Sequence, residues 1–191
     1  MNPFPLYVTI AIVVVMTTTP TFASDDSDVL FNFDGGIGSQ PFRSANGVAS
    51  PNTVAGVAPG GTPWPIESLK AVIKTDGTIR VNAKGILLGG GDKIGTRGDP
   101  RQMVVSLFCR NIPAPGAAAG TLQTTPYNSE FVNLDPNGDF ELSSSLTNAT
   151  GATPPEDCGD KIDNRPVLLL RTVGGTPPAP GNWFAAGILD D

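Results

Sequence analysis

The chain has no histidine. That absence removes the commonest general base and the commonest neutral metal ligand. Serine–histidine and cysteine–histidine nucleophile systems are excluded in their usual form. Zinc, copper and non-haem iron sites lose their usual ligand as well. Positive charge is also scarce. Twelve Lys and Arg stand against eighteen Asp and Glu, a formal charge of −6, and the first basic side chain is Arg43. A nucleic-acid or anionic-membrane partner is therefore not expected. Helical patterning is missing too, since no segment sustains a 3.6-residue apolar period with caps at its ends. There are two cysteines, with no C-x-x-C spacing to suggest redox chemistry.

One uncharged apolar run is present, Leu6 to Met16. Thr21-Phe22-Ala23 follows it with the small residues that signal peptidases read, and acidic polar sequence begins at Ser24. Residues 1–23 are expected to be an export signal, although no Lys or Arg precedes the apolar core as it normally does. The run is short for a spanning helix, which needs about 20 apolar residues. A tilted, uncleaved anchor over Leu6 to Phe22 is the alternative. Apart from this segment no membrane association is expected. In an exported chain the cysteine pair, Cys109 and Cys158, reads as a disulfide closing a loop of about 50 residues.

What remains is rich in turn formers, with 23 Gly and 19 Pro among 191 residues. Its hydrophobic fraction of 39% is nonetheless enough for a folded domain. Residues 24–65 read as a loose N-terminal segment with one short candidate strand, Val29 to Phe33, and a surface loop over Gly35 to Pro63. From residue 66 to 191 the pattern is β, and the two parts are expected to form one domain. In Leu69 to Leu87, a three-residue turn with Gly77 in the left-handed conformation pairs Ile73 with Ile79, Ala71 with Val81 and Leu69 with Ala83. Lys70, Lys74, Arg80, Asn82 and Lys84 then share the other face. A one-residue slip would mix the faces, so the pattern selects this register. The same logic in Phe131 to Leu146 pairs Leu134 with Phe140 and Val132 with Leu142 around Asp135-Pro136-Asn137-Gly138-Asp139. Met103, Val105, Leu107 and Cys109 mark the inward side of another strand. Val167 to Val173 suits a central strand, and Trp183 to Leu189 a last one. The expected fold is all-β, an antiparallel β-sandwich of about 7–8 short strands (Ig-like or jelly-roll-like) with one disulfide; a barrel is the alternative.

Several segments resemble known sites. Gly89 to Thr96 lacks the Lys and the following helix of a phosphate loop, and reads as a flexible loop. Arg97-Gly98-Asp99 in the same region is the tripeptide that adhesion receptors read through a paired cation and carboxylate. Asp135 to Asp139 alternates oxygen ligands, but Phe140 and Leu146 occupy the places where a calcium loop needs Gly and Glu. Asp157, Asp160 and Asp163, beside Cys158, are weak calcium candidates; a solvated loop is the plainer reading. Glu130 and Glu141 are expected on opposite faces, which is unsuitable for glycoside hydrolysis. Trp64, held in Pro63-Trp64-Pro65, either stacks on a ligand or plugs one end of the core. Tyr127 and Trp183 are the other aromatics expected near the surface.

Pro63-Trp64-x-Ile66, Asp76-Gly77, Gly85 with Leu87, Cys109 and Cys158, Pro166-Val167-Leu168 and Trp183-Phe184-Ala185 together resemble small exported bacterial β-rich proteins. The resemblance covers about two thirds of the chain. It implies a secreted, disulfide-bonded β domain and no particular chemistry. The expectation for function is a secreted, non-enzymatic binding or structural module, with no catalytic residues, no cofactor, and an unknown protein or glycan as partner. The alternatives are a surface-adhesion protein using Arg97-Gly98-Asp99 and a hydrolase using carboxylates without histidine.

Overall fold

A computed structural model describes residues 28–99, 102–110, 120–160 and 162–190. The expected export signal, residues 1–23, lies outside them. The hairpin with the clearest alternation forms in the expected register. Strands β4 (Ser68–Lys74) and β5 (Thr78–Lys84) pair Ile73 with Ile79, Ala71 with Val81 and Leu69 with Ala83. Gly77 takes φ +84°, and the Asp76 carboxylate accepts the Thr78 N–H at 2.7 Å. Left-handed geometry at one residue is what a three-residue hairpin loop requires, and Gly adopts it without a steric penalty.

The N-terminal segment is more than a loose lead-in. Strand β1 (Val29–Gly38) runs for ten residues, antiparallel to β4 on one side and to β11 (Ala179–Leu189) on the other. Phe31 and Phe33 point inward and are buried. A short hairpin follows, β2 (Phe42–Ala45) and β3 (Val48–Pro51), as a separate two-stranded sheet.

The remaining strands are β6 (Gln102–Phe108), β7 (Tyr127–Asn128), β8 (Val132–Asn133), β9 (Phe140–Ser145) and β10 (Val167–Gly174). All pair antiparallel, in the order β7-β6-β10-β11-β1-β4-β5-β9, with β8 also on β6. The ends of this path approach each other. Asn128 and Thr147 exchange two backbone hydrogen bonds at 2.8 and 3.0 Å, and the Glu130 N–H donates to Ser144 Oγ. One sheet therefore curls into a nearly closed, barrel-like form. The described residues are all-β and antiparallel, as expected, and the facing layers are parts of one continuous sheet. Curling covers edges that an open sheet would leave unpaired.

The second expected hairpin is a correction. The turn Asp135 to Asp139 forms: the Asp135 carboxylate accepts the N–H groups of Asn137 and Asp139. Its flanks then separate. Val132 pairs with Met103 on β6, while Phe140 pairs with Ala83 and Leu142 with Val81 on β5. Alternation specifies which face of a strand is apolar, and it leaves the partner open. Here closure of the sheet chose the partners.

The core has two parts. Inside the barrel lie Phe31, Phe33, Leu69, Ile73, Ile79, Met103, Val105, Leu107, Leu168 and Leu170, among others. On the opposite face of β6, β10 and β11, Phe108, Leu169 and Trp183 form a second cluster under Val54, Ala55, Val57 and Leu122. Residues 52–60 thus act as a strap. Trp183 donates its N–H to Ala58 and its indole Nε1–H to the Asn52 carbonyl, and the Gly60 N–H donates to the Trp183 carbonyl. Trp183, expected near the surface, is buried for this reason. Strands β6 and β10 bury both faces, which explains their nearly unbroken apolar runs.

Candidate functional site

Trp64 sits between two prolines that restrict its backbone. Its N–H donates to the Ser39 carbonyl at the end of β1, and its ring stacks on Phe184 of β11 with centroids 4.0 Å apart. The residue is only 4% exposed, so it closes one end of the core and its ring face is not open for stacking on a ligand. Two glycines let the chain pass this close. A Cβ on Gly60 would lie 2.7 Å from Phe184 Cε1, and one on Gly98 would lie 3.2 Å from Trp64 Cη2.

The loop after β5 is organised by its own hydrogen bonds. Leu88 and Gly95 pair through the Leu88 N–H to Thr96 O and the Gly95 N–H to Leu88 O, and the Gly89 N–H donates to the Pro63 carbonyl. This folds Gly98 and Asp99 back over Trp64. Gly98 holds φ +64°, Asp99 pairs with Lys93 at 3.4 Å, and both partners of that pair are well exposed. Arg97 turns the other way and donates from Nη1 to the Leu134 carbonyl. The Arg97 cation and the Asp99 carboxylate therefore have different partners, and a receptor reading them as a pair would have to detach Arg97 from Leu134.

Trp64, Gly98 and Asp99 come together, without Arg97, around one cleft of about 250 Å³. Phe184 and Leu88 join them in its lining, and Lys93, Thr172 and Asn182 add an ammonium, a hydroxyl and an amide. Lys93, Thr172 and Asn182 were not legible as site residues, because nothing local in the sequence joins residue 93 to residue 182. Only the passage of β11 beneath the loop does so.

The disulfide forms between Cys109 and Cys158, with Cα atoms 4.5 Å apart and both residues buried. The Arg110 N–H donates to the Cys158 carbonyl. Beyond it, Asp160 closes its own loop. One carboxylate oxygen accepts the N–H groups of Ile162, Asp163 and Asn164, and the other accepts the Asn164 side-chain amide. These donors, the Asn164 N–H foremost, hold its carboxyl at about 2. Its oxygens are thus committed to the fold, and among the described residues no group of three or more carboxylates or cysteines is placed to hold a metal ion. Of the three weak calcium candidates, Asp160 is engaged in its own loop, and Asp157 and Asp163 are exposed beside it.

A carboxyl held at about 2, against an ordinary value of 3.8, favours the folded state only when ionised. Its contribution is full above about pH 4 and is lost as the pH falls toward about 2. Asp160→Asn is expected to flatten the acid limb of stability over that window and leave the slope between pH 5 and 7 unchanged. Urea midpoints measured across the range check this; an acid limb identical to the wild type would show that Asp160 does not titrate as the loop geometry requires.

Glu130 and Glu141 are both exposed. Glu141 lies opposite Asn82 on β5 and accepts its side-chain amide at 2.8 Å.

Comparison with protein families, with curated proteins and with solved structures gives no match. The fold by itself defines the class: an all-β, barrel-like domain with a disulfide that belongs to an oxidising compartment outside the cytoplasm. No helix among the described residues is long and apolar enough to cross a membrane.

Proposed function

We propose that this is an exported, non-enzymatic binding module, with residues 1–23 as its signal and a glycan as its ligand. The observation that carries the reading is the convergence of Trp64, Lys93, Gly98, Asp99 and Asn182 on one cleft. Lys93, Asp99, Thr172 and Asn182 bring an ammonium, a carboxylate, a hydroxyl and an amide to that cleft, and so both donors and acceptors. A polyhydroxylated ligand needs that mixture, because each hydroxyl both donates and accepts. The absence of histidine from the whole chain, and the commitment of Asp135, Asp139 and Asp160 to backbone N–H groups, favour binding over hydrolysis.

The purified mature protein is expected to bind members of a glycan panel. Asp99→Ala and Asn182→Ala should each weaken that binding about tenfold, the effect of losing one good hydrogen bond to a ligand. Both positions are exposed, so the thermal midpoint should hardly change. Binding that ignores both substitutions would move the site elsewhere on the surface. No binding across the panel would remove the glycan reading. Sequencing of the secreted chain should begin at Ser24.

A further inference from the structure

A second groove, on the outer face of the barrel, contains a cation with no anion paired to it among the described residues. Arg171 lies on β10, where the pairing with β11 slips on both sides of it. Its side chain is half-buried. Nε donates to the Gly181 carbonyl at 2.9 Å, Nη2 to the Pro180 carbonyl at 3.0 Å, and Nη1 reaches Ser106 Oγ at 3.4 Å. All three acceptors are neutral, and a guanidinium has five N–H donors. The ion pairs among the described residues are Lys70–Asp34 and Lys93–Asp99, and neither involves it. Burial lowers the pKa of Arg171, the mark of a charge removed from water without a counter-charge.

The groove beside it has a volume of about 400 Å³, within the range of small-molecule sites. Val57 of the strap, Phe108, Pro126 and Pro180 give it apolar walls, and Thr124 and Asn128 add two polar groups. Asn128 Oδ1 already accepts the Ser106 hydroxyl at 2.7 Å, so that amide faces a ligand chiefly as a donor. Bulge geometry explains why Arg171 holds two β11 carbonyls. It does not explain why a permanently charged fork, and no neutral donor, stands at the wall of a partly apolar groove.

We propose that this groove binds a small organic carboxylate with a compact apolar body, the Arg171 fork holding the carboxylate and the strap covering the body. Guanidinium and carboxylate match in planar geometry, and their bonds are the strong, charge-assisted kind. The site is separate from the cleft over Trp64, and its test is independent of any glycan.

The disulfide-bonded mature protein, labelled with ¹⁵N, is titrated with 4-phenylbutyrate, 4-phenylbutanol and inorganic phosphate while amide shifts are followed. The carboxylate should give saturable shifts at Gly56, Val57 and Thr124, and the alcohol should bind at least about tenfold more weakly. Arg171→Lys keeps the charge, loses the fork and should weaken the carboxylate by a similar factor. Because Arg171 also braces β11, a second variant separates binding from folding. Thr124→Trp, at an exposed rim position, should fill the groove and abolish the shifts with the rest of the spectrum intact. Equal binding of acid and alcohol, shifts produced equally by phosphate, or no saturation by about 10 mM would each overturn the proposal.

Discussion

Replacing Cys109 and Cys158 together by serine is expected to lower the unfolding free energy by about 4 kcal/mol. The bond joins two residues 49 positions apart, and the loop it closes contains β7, β8 and β9. Opening it restores the conformational freedom of that segment to the unfolded chain, and chain entropy sets about 4 kcal/mol as the scale for a loop of this length. Stability of a whole domain is typically about 5–15 kcal/mol, so such a loss is a large share. The segment also contains Asn128 and Thr147, whose backbone hydrogen bonds bring the two ends of the sheet together. Urea denaturation of the double variant, with and without reductant, measures the effect. The variant should be insensitive to reductant, and the reduced wild type should behave like it. A midpoint shift worth less than about 1 kcal/mol would mean that folded contacts alone, and not the cross-link, hold the β7–β9 segment.

The second large effect is expected at Phe33. Its ring is fully buried and meets Phe31 edge-on, with centroids 6.5 Å apart. Its backbone lies opposite Ala71 on β4 and Leu189 on β11. Gly187 makes room for it, since a Cβ there would approach Phe33 Cδ1 to 2.9 Å. Phe33→Ala leaves a cavity at the middle of the barrel wall, and losses of about 3–5 kcal/mol are usual for such a truncation. Leu30→Ala, at a half-buried place on the same strand, serves as the control and should cost clearly less. If Phe33→Ala cost no more than Leu30→Ala, β1 would be peripheral, as the composition of residues 24–65 by itself suggests. The test thus bears directly on the largest difference between the chain's text and its fold.

That difference has a physical origin. Only five residues of β1, Val29 to Phe33, show a strand pattern. The remainder, Asp34 to Gly38, is mostly glycine, which carries no side-chain signal. Those glycines lie where other groups come close: a Cβ on Gly38 would fall 2.0 Å from the Trp64 carbonyl oxygen. Composition suggested looseness where the packing required the absence of a side chain. The candidate site was half legible for a related reason. Trp64 and the Gly98-Asp99 pair stand out as text, but Lys93, Asn182 and Arg171 are ordinary polar residues until the sheet sets them beside a cleft or a groove.

The sequence by itself determined the all-β class, the inward faces of β4, β5 and β6, the register of the β4–β5 hairpin and the pairing of the two cysteines. Each of these follows from local chemistry: a period of two, a glycine in a left-handed turn, and a single even pair of cysteines. Only the tertiary structure decided that β8 leaves β9 to join β6, that one sheet nearly closes on itself, and that the strap over Phe108 and Trp183 creates a second core with a cation at its edge. Alternation constrains which side of a strand is apolar. Which strand lies next to it is settled by competition among many similar apolar faces, and that competition is resolved only when the whole chain packs at once.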